Sequence, residues 1–232
     1  MKTIGIIGAM ETEVASLIGA LENPVKETYS GTDFHTGTLD GTPVVIARCG
    51  IGKVAAAVTA EAMILRYAPD LLLNTGVGGS LTKDLTVGDL AVSAFAVEYD
   101  MDTSPLGDPI GYLSGIGQIR LAADGAAADC LLSAAKDAGL HAVRGGIASG
   151  DRFVASVEEK KRILSHFPDA VVCEMEGAAV AHTAFLNGTP FVIVRAVSDS
   201  ADGQSDTDYP TFVAAAAARC AALVRAALPV LR

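Results

Sequence analysis

The chain has 232 residues, 50% of them hydrophobic and 19% charged, with a mean hydropathy of +0.40. That composition excludes both a disordered chain and a small scaffold dependent on disulfides, and it leaves room for a sizeable core in a single domain spanning 1–232. Seventeen Lys plus Arg against 27 Asp plus Glu give a formal net charge of −10, a balance that repels a phosphate backbone and argues against nucleic acid as a partner.

The first apolar run, Ile4 to Ile7, is closed by Gly8 and reads as a strand buried on both faces. Glu11 and Glu13 follow too soon for a secretory signal, and they open a helix expected to reach about Leu21. Phe34–Leu39 and Pro43–Cys49 flank Asp40-Gly41, a dipeptide that supplies the positive φ angles of a tight hairpin. Lys53–Tyr67 is an Ala-rich helix. Leu71–Leu73 begins another buried strand, which is expected to pass through a glycine turn at Gly76-Val77-Gly78-Gly79 before continuing.

Leu90–Val97 is a further strand, and Asp102–Gly117 is a Pro/Gly-rich loop long enough to suggest a function. A helix is expected over Ala122–Ala138, then a strand over Ala142–Ser149, a helix over Glu158–His166, a strand over Ala170–Cys173, a helix over Gly177–Leu186 and a strand over Phe191–Val197. A last helix runs from about Thr211 to Leu228. Helices alternating with short buried strands, plus one early hairpin, predict a three-layer α/β/α sandwich around a mixed, twisted sheet. No uninterrupted apolar run approaches the roughly 20 residues that cross a bilayer, so no membrane association is expected.

Two glycine motifs fail their own tests. Gly5-Ile6-Ile7-Gly8 is not the G-x-G-x-x-G of dinucleotide sites, and Gly52-Lys53 lacks both the first glycine of a P-loop, where Ala47 stands, and the Ser or Thr, where Val54 stands. Cys49, Cys130, Cys173 and Cys220 show no metal-ligand spacing and read as reduced thiols of a cytoplasmic protein; neither a metal nor an organic cofactor is expected.

Ligands of α/β sheets bind beyond the carboxyl ends of strands, where this sequence places Glu13, Glu174, Glu176 and Asp199. Each has a structural reading when taken singly. Glu13 fits a solvated first-turn glutamate, Ser198 or Asp199 a helix cap, and Glu174 a surface charge.

With their flanks they form an ordered set: Gly8-Ala9-Met10-Glu11-Thr12-Glu13-Val14, Arg48-Cys49-Gly50-Ile51-Gly52-Lys53-Val54, Asn74-Thr75-Gly76, Ser149-Gly150-Asp151-Arg152-Phe153, Val172-Cys173-Glu174-Met175-Glu176 and Arg195-Ala196-Val197-Ser198-Asp199. From Ile4 to about Leu228 the chain resembles the 5'-methylthioadenosine/S-adenosylhomocysteine nucleosidases of the nucleoside phosphorylase superfamily. The resemblance implies a hydrolase that releases adenine. Asp199, supported by Ser198, would protonate the purine at N7, Glu13 would polarise the attacking water, and Glu176 would take the ribose hydroxyls. Arg195 would hold the acidic cluster together, with Glu174 as a supporting or ribose contact on the same side of a continuing strand.

The resemblance further implies that Phe153 stacks on adenine beside the backbone of Val154, and that Met10, Ile51, Met175 and Tyr209 surround the sugar and its 5' alkylthio group. Val77 stands where many members have Ser, and Tyr209 where Phe is common. The loop at Asp102–Gly117 matches the segment that completes a partner subunit's pocket, with Leu106 and Leu113 as candidates, so a homodimer is implied. A phosphorylase would want arginines near the first glycine turn, where Glu11 and Glu13 would repel phosphate. The alternatives are a purine nucleoside phosphorylase, against which those acids argue, and a hydrolase of another nucleoside such as futalosine.

Overall fold

Consecutive side chains of a strand point to opposite faces, so a strand that is apolar throughout must be covered on both. In the computed structural model, which describes residues 2–201 and 205–231, β1 (Ile4–Gly8) is buried at every position. Ile4 and Ile6 pack into one hydrophobic cluster and Ile7 into another. β5 (Leu71–Ser80) is buried over its whole length and divides in the same way, Leu71 and Leu73 to one side and Leu72 to the other. Helices α1 (Glu11–Gly19), α3 (Gly125–Asp137) and α6 (Ser205–Leu231) complete the first cluster, and α2 (Lys53–Tyr67) and α5 (Gly177–Asn187) the second. The chain is an α/β sandwich about one mixed sheet.

The other strands are β2 (Glu22–Tyr29), β3 (Thr32–Leu39), β4 (Thr42–Arg48), β6 (Leu90–Glu98), β7 (Leu121–Ala122), β8 (Ala142–Ser149), β9 (Ala170–Glu174) and β10 (Phe191–Asp199), with α4 (Val157–His166) between β8 and β9. β1 lies parallel to both β4 and β5. β5 also pairs with β10 in parallel, and its last residues, Gly79 and Ser80, pair antiparallel with Cys173 and Val172 of β9. Because β10 continues to β6, β6 to β8 and β8 to β9, five strands close into a ring. That closure brings the carboxyl ends of β5, β8, β9 and β10 together.

Several elements differ from the sequence expectation. The early hairpin is a three-stranded meander: β2, largely exposed and without apolar alternation, is an edge strand held by its pairing with β3. Asp40 and Gly41 do turn the β3–β4 hairpin, at φ 49° and 77°. No turn interrupts β5, which stays extended through its glycines. Helix α3 begins at Gly125, because Asp124 caps it by accepting from the Ala127 amide at 2.8 Å, and residues 121–122 belong to β7 instead. Helix α6 starts at Ser205, so Pro210 lies inside it; packing of Tyr209 and Val213 against the core offsets the hydrogen bond that the proline removes. Tyr209–Leu231 is long and apolar enough by length and composition to cross a bilayer. Its Ala217, Cys220, Val224 and Leu228 instead face the core cluster, and Arg219 and Arg225 bond Gly88 and Asp40 on the surface.

Candidate active site

Glu13 is the third residue of α1, just past the β1 turn. Its carboxylate folds back to accept the Ala9 and Met10 amides at 2.7 and 2.9 Å on Oε2, and the Val77 amide of β5 at 3.0 Å on Oε1. It is only 4% exposed, so the solvated first-turn reading does not hold. Burial raises its pKa, opposed less strongly by the charge of Arg195 and the three amides. Gly76 makes this approach possible, since a Cβ there would collide with Glu13 Oε1.

β9 ends at Glu174 and the chain turns at once into α5, so Glu174 and Glu176 are not alternate residues of a continuing strand. Glu174 points under the site. It accepts from Ser149 Oγ and Arg195 Nη2, and from the Glu176 and Gly177 amides at 3.1 and 2.7 Å, the last satisfying an otherwise unpaired helix N-terminus. Glu176 points the other way and accepts the Gly52 amide at 2.8 Å. Burial, then the neighbouring Glu174 charge, pushes its pKa up to about 7. Gly52 offers that amide from φ 99°, a conformation that favours glycine.

Asp199 ends β10 and is 2% exposed. Its Oδ2 accepts from Ser198 Oγ at 2.9 Å and its Oδ1 from the Ala201 amide at 2.8 Å, and neither donor is a helix amide. Gly79 of β5 lies beneath it, where a Cβ would come within 2.8 Å of Oδ1. Val77 bonds Glu13 and Gly79 lies against Asp199, so two residues of one strand, two positions apart, meet the two carboxylates.

A cavity of about 360 Å³ opens over these groups. Met10, Ile51, Val77, Phe153, Val154, Met175 and Tyr209 line it together with Glu13, Glu174, Glu176, Ser198 and Asp199. The Phe153 ring is 44% exposed and meets the Tyr209 ring edge-on, with centroids 5.4 Å apart. Arg195 does not line the cavity; it lies below, donating to Glu174, to Asn74 Oδ1 and to the Val194 carbonyl at 3.0 Å. Leu106 and Leu113 are also outside it. Leu106 is 83% exposed, whereas Leu113 is buried with the α5-side cluster and faces its own core.

Three contributors were not singled out from the sequence. Ser149 links Glu174 to the Ala178 amide, and Asn74 ties Arg195 to the Ile7 carbonyl; Asn74 stands out as an amide directly after the apolar run Leu71–Leu73 of a buried strand. Cys49, pushed up to about 12 by burial and by the charges of Glu176 and Glu13, is a neutral thiol beside the site. All four cysteines are free, and among the described residues no group of His, Cys, Asp or Glu is arranged to hold a metal ion.

The chain matches the phosphorylase superfamily, whose family model covers residues 3–229. A 5'-methylthioadenosine/S-adenosylhomocysteine nucleosidase of Shewanella sp. is 39% identical over 226 residues, 95% of this chain and 94% of that protein. The crystal structure of such a nucleosidase from Neisseria meningitidis, in complex with methylthio-immucillin-A, superposes with a TM-score of 0.96 at 38% identity, covering 99% of this chain and 100% of that one. A futalosine hydrolase of Helicobacter pylori superposes at 0.93 with 31% identity, covering 99% and 98%. The chain belongs to the 5'-methylthioadenosine/S-adenosylhomocysteine nucleosidase family, a family of N-glycosyl hydrolases within that superfamily.

Proposed function

We propose that the enzyme hydrolyses the N-glycosidic bond of 5'-methylthioadenosine and S-adenosylhomocysteine, and that of 5'-deoxyadenosine, releasing adenine and the 5'-substituted ribose. The observation that carries this reading is one apolar cavity with Glu13, Glu176 and Asp199 at its polar edge, each buried and each held by named hydrogen bonds. Glycosidic cleavage needs a proton for the departing base, acceptors for a sugar gaining positive charge, and an oriented water.

Asp199 acts as the acid at purine N7, with Ser198 and the Ala201 amide fixing its orientation and Phe153 stacking on the base beside Val154. Glu176 accepts the ribose hydroxyls, an interaction that strengthens as the sugar becomes cationic. Glu13 takes a proton from the attacking water, and burial, which raises its pKa, makes it a stronger base for that step. Glu174 and Arg195 position Glu176 from below. Met10, Ile51, Met175 and Tyr209 surround the sugar and its 5' group.

Water rather than phosphate is the nucleophile, because the first turn carries Glu11 and Glu13, and the adjacent Arg48 is paired with Glu11 at 3.2 Å. No cofactor takes part. The enzyme works in the cytoplasm as a homodimer, a reading supported by Val54, Val58, Phe185 and Leu186 exposed on the packed helices α2 and α5 and by Leu106 exposed on its loop. Adenine release from each nucleoside in phosphate-free buffer tests the assignment. Release with free sugar as co-product supports it, strict phosphate dependence makes the enzyme a phosphorylase, and turnover of futalosine alone reassigns the substrate.

A further inference from the structure

Tyr209 brings a hydroxyl to a wall that is otherwise apolar. Its Oη donates to Met10 Sδ at 3.1 Å, and among the described residues that sulfur is the hydroxyl's only partner. A thioether is a weak acceptor, so a half-buried O–H in this position keeps much of the cost of an unmade hydrogen bond. The other side-chain hydroxyl of the cavity, Ser198, is already committed to Asp199. The carboxylates have their own donors: Glu13 the amides of Ala9, Met10 and Val77, Glu176 that of Gly52, and Asp199 that of Ala201. Burial and the charges of Glu13, Glu176 and Asp199 raise the pKa of the phenol, which keeps it a donor at neutral pH.

Substrate placement rests on the nucleosidase reading. With the purine between Phe153 and Asp199, the ribose hydroxyls on Glu176 and the anomeric carbon facing Glu13, the wall left at the sugar is Met10, Ile51, Met175 and Tyr209, and among these Tyr209 carries the hydroxyl. We propose that Tyr209 is a specificity-determining residue whose hydroxyl leaves Met10 Sδ and donates to a heteroatom on C5' of the nucleoside, extending the substrate range to nucleosides with a free 5'-hydroxyl. The exchange has a definite order. A 5'-thioether substitutes one sulfur acceptor for another and gains little, a 5'-oxygen is a stronger acceptor and gains most, and a 5'-deoxy carbon offers nothing in place of Met10.

The test compares kcat/KM for adenosine, 5'-methylthioadenosine and 5'-deoxyadenosine between the wild type and Tyr209→Phe, which keeps the ring and its contact with Phe153. The adenosine to 5'-deoxyadenosine ratio is expected to fall about fivefold, the effect of one ordinary hydrogen bond, with a smaller fall in the methylthioadenosine to 5'-deoxyadenosine ratio. Met10→Leu, which frees the hydroxyl in the empty site, is expected to raise the adenosine ratio. An adenosine ratio that does not move in Tyr209→Phe, or equal falls in both ratios, overturns the role of the hydroxyl; so does a Met10→Leu ratio that stays level or falls. A wild-type enzyme that turns over none of the three nucleosides overturns the nucleosidase reading itself.

Discussion

Arg195 donates from Nη2 to Glu174 Oε2 beneath the cavity floor, and both side chains are 2% exposed. Breaking such a pair from one side leaves a buried charge without its counter-ion, at a cost of about 3–5 kcal/mol. Arg195→Met is therefore expected to lower the melting temperature by about 10 °C or more, at the usual 2–4 °C per kcal/mol for a chain of this size. Arg195→Lys should recover only part of the loss, because one ammonium replaces a planar group that serves Glu174 and Asn74 from Nη2 and the Val194 carbonyl from Nη1. Thermal and urea unfolding measure both. An Arg195→Met variant that melts within 2 °C of the wild type would show that the pair carries no structural weight.

The two carboxylates proposed as acid and base are expected to separate by role. Asp199→Asn keeps its shape but has no carboxylic proton for N7, and kcat should fall by about 10²–10⁴, the usual range for general acid–base catalysis. Glu13→Gln should give a comparable fall in kcat with substrate affinity largely kept, since Glu13 acts on water. Single-turnover kinetics and equilibrium binding of a non-hydrolysable adenine nucleoside distinguish turnover from affinity. Near wild-type adenine release by a folded Asp199→Asn protein would remove β10 from the chemistry.

Glu176 links pH to both binding and stability. Its pKa rises from 4.5 to about 7 on folding, so between those values the folded protein binds more protons than the unfolded chain. Stability from this group is therefore full below 4.5 and is lost as pH rises through about 7, by an amount on the order of 1–3 kcal/mol. Ribose hydroxyls donate best to the ionised carboxylate, so KM should fall over the rise towards pH 7 and above. Glu176→Gln should flatten both profiles. A KM that is independent of pH from 5 to 8 in the wild type would contradict the assignment.

Gly76 offers a test of the base's placement that leaves every carboxylate intact. Gly76→Ala puts a methyl group where Glu13 Oε1 lies. The side chain must swing away from the Val77 amide, and kcat is expected to fall at least tenfold while the fold survives. Gly31→Ala, in a surface turn with open space around it, is the control for glycine replacement; its φ of 75° adds only local strain. Equal activity in the two variants would mean that the Glu13 geometry tolerates displacement.

Leu106→Asp addresses assembly. Leu106 is exposed in the isolated chain, so the substitution should spare monomer stability, weaken dimerisation and raise KM if this leucine walls the neighbouring 5' pocket. Sedimentation velocity with a parallel dilution series of activity measures the coupling. A fully active monomer would end the idea.

Much of the fold and most of the site were legible in the linear order of residues, for a local reason. Ile4–Ile7, Leu71–Leu73 and Val192–Val194 are apolar at every position, and strands of that kind have to be covered on both faces. Asp40-Gly41 meets the φ demands of its turn within two residues, and Glu13, Glu176 and Asp199 follow strand ends within a few positions. The family resemblance then implied one site for them, and all three line one cavity. Strand β2 was not legible, because an exposed edge strand is held by its neighbour's hydrogen bonds and leaves no hydrophobic period of its own.

The direction in which each side chain points was decided only by the tertiary structure. Glu174 and Glu176 stand two residues apart in the same motif, yet one is drawn under the floor by Arg195 and Ser149 while the other meets Gly52 just before α2, since β9 stops between them and the backbone turns into α5. Leu106 and Leu113 share one loop, and only packing against the α5-side core separates an exposed leucine from a buried one. The straight path of β5 through Gly76, Gly78 and Gly79 has the same origin. Those glycines are spaces into which Glu13, Val172 and Asp199 come from distant parts of the chain, and a contact of that kind exists only once the strands have closed their ring.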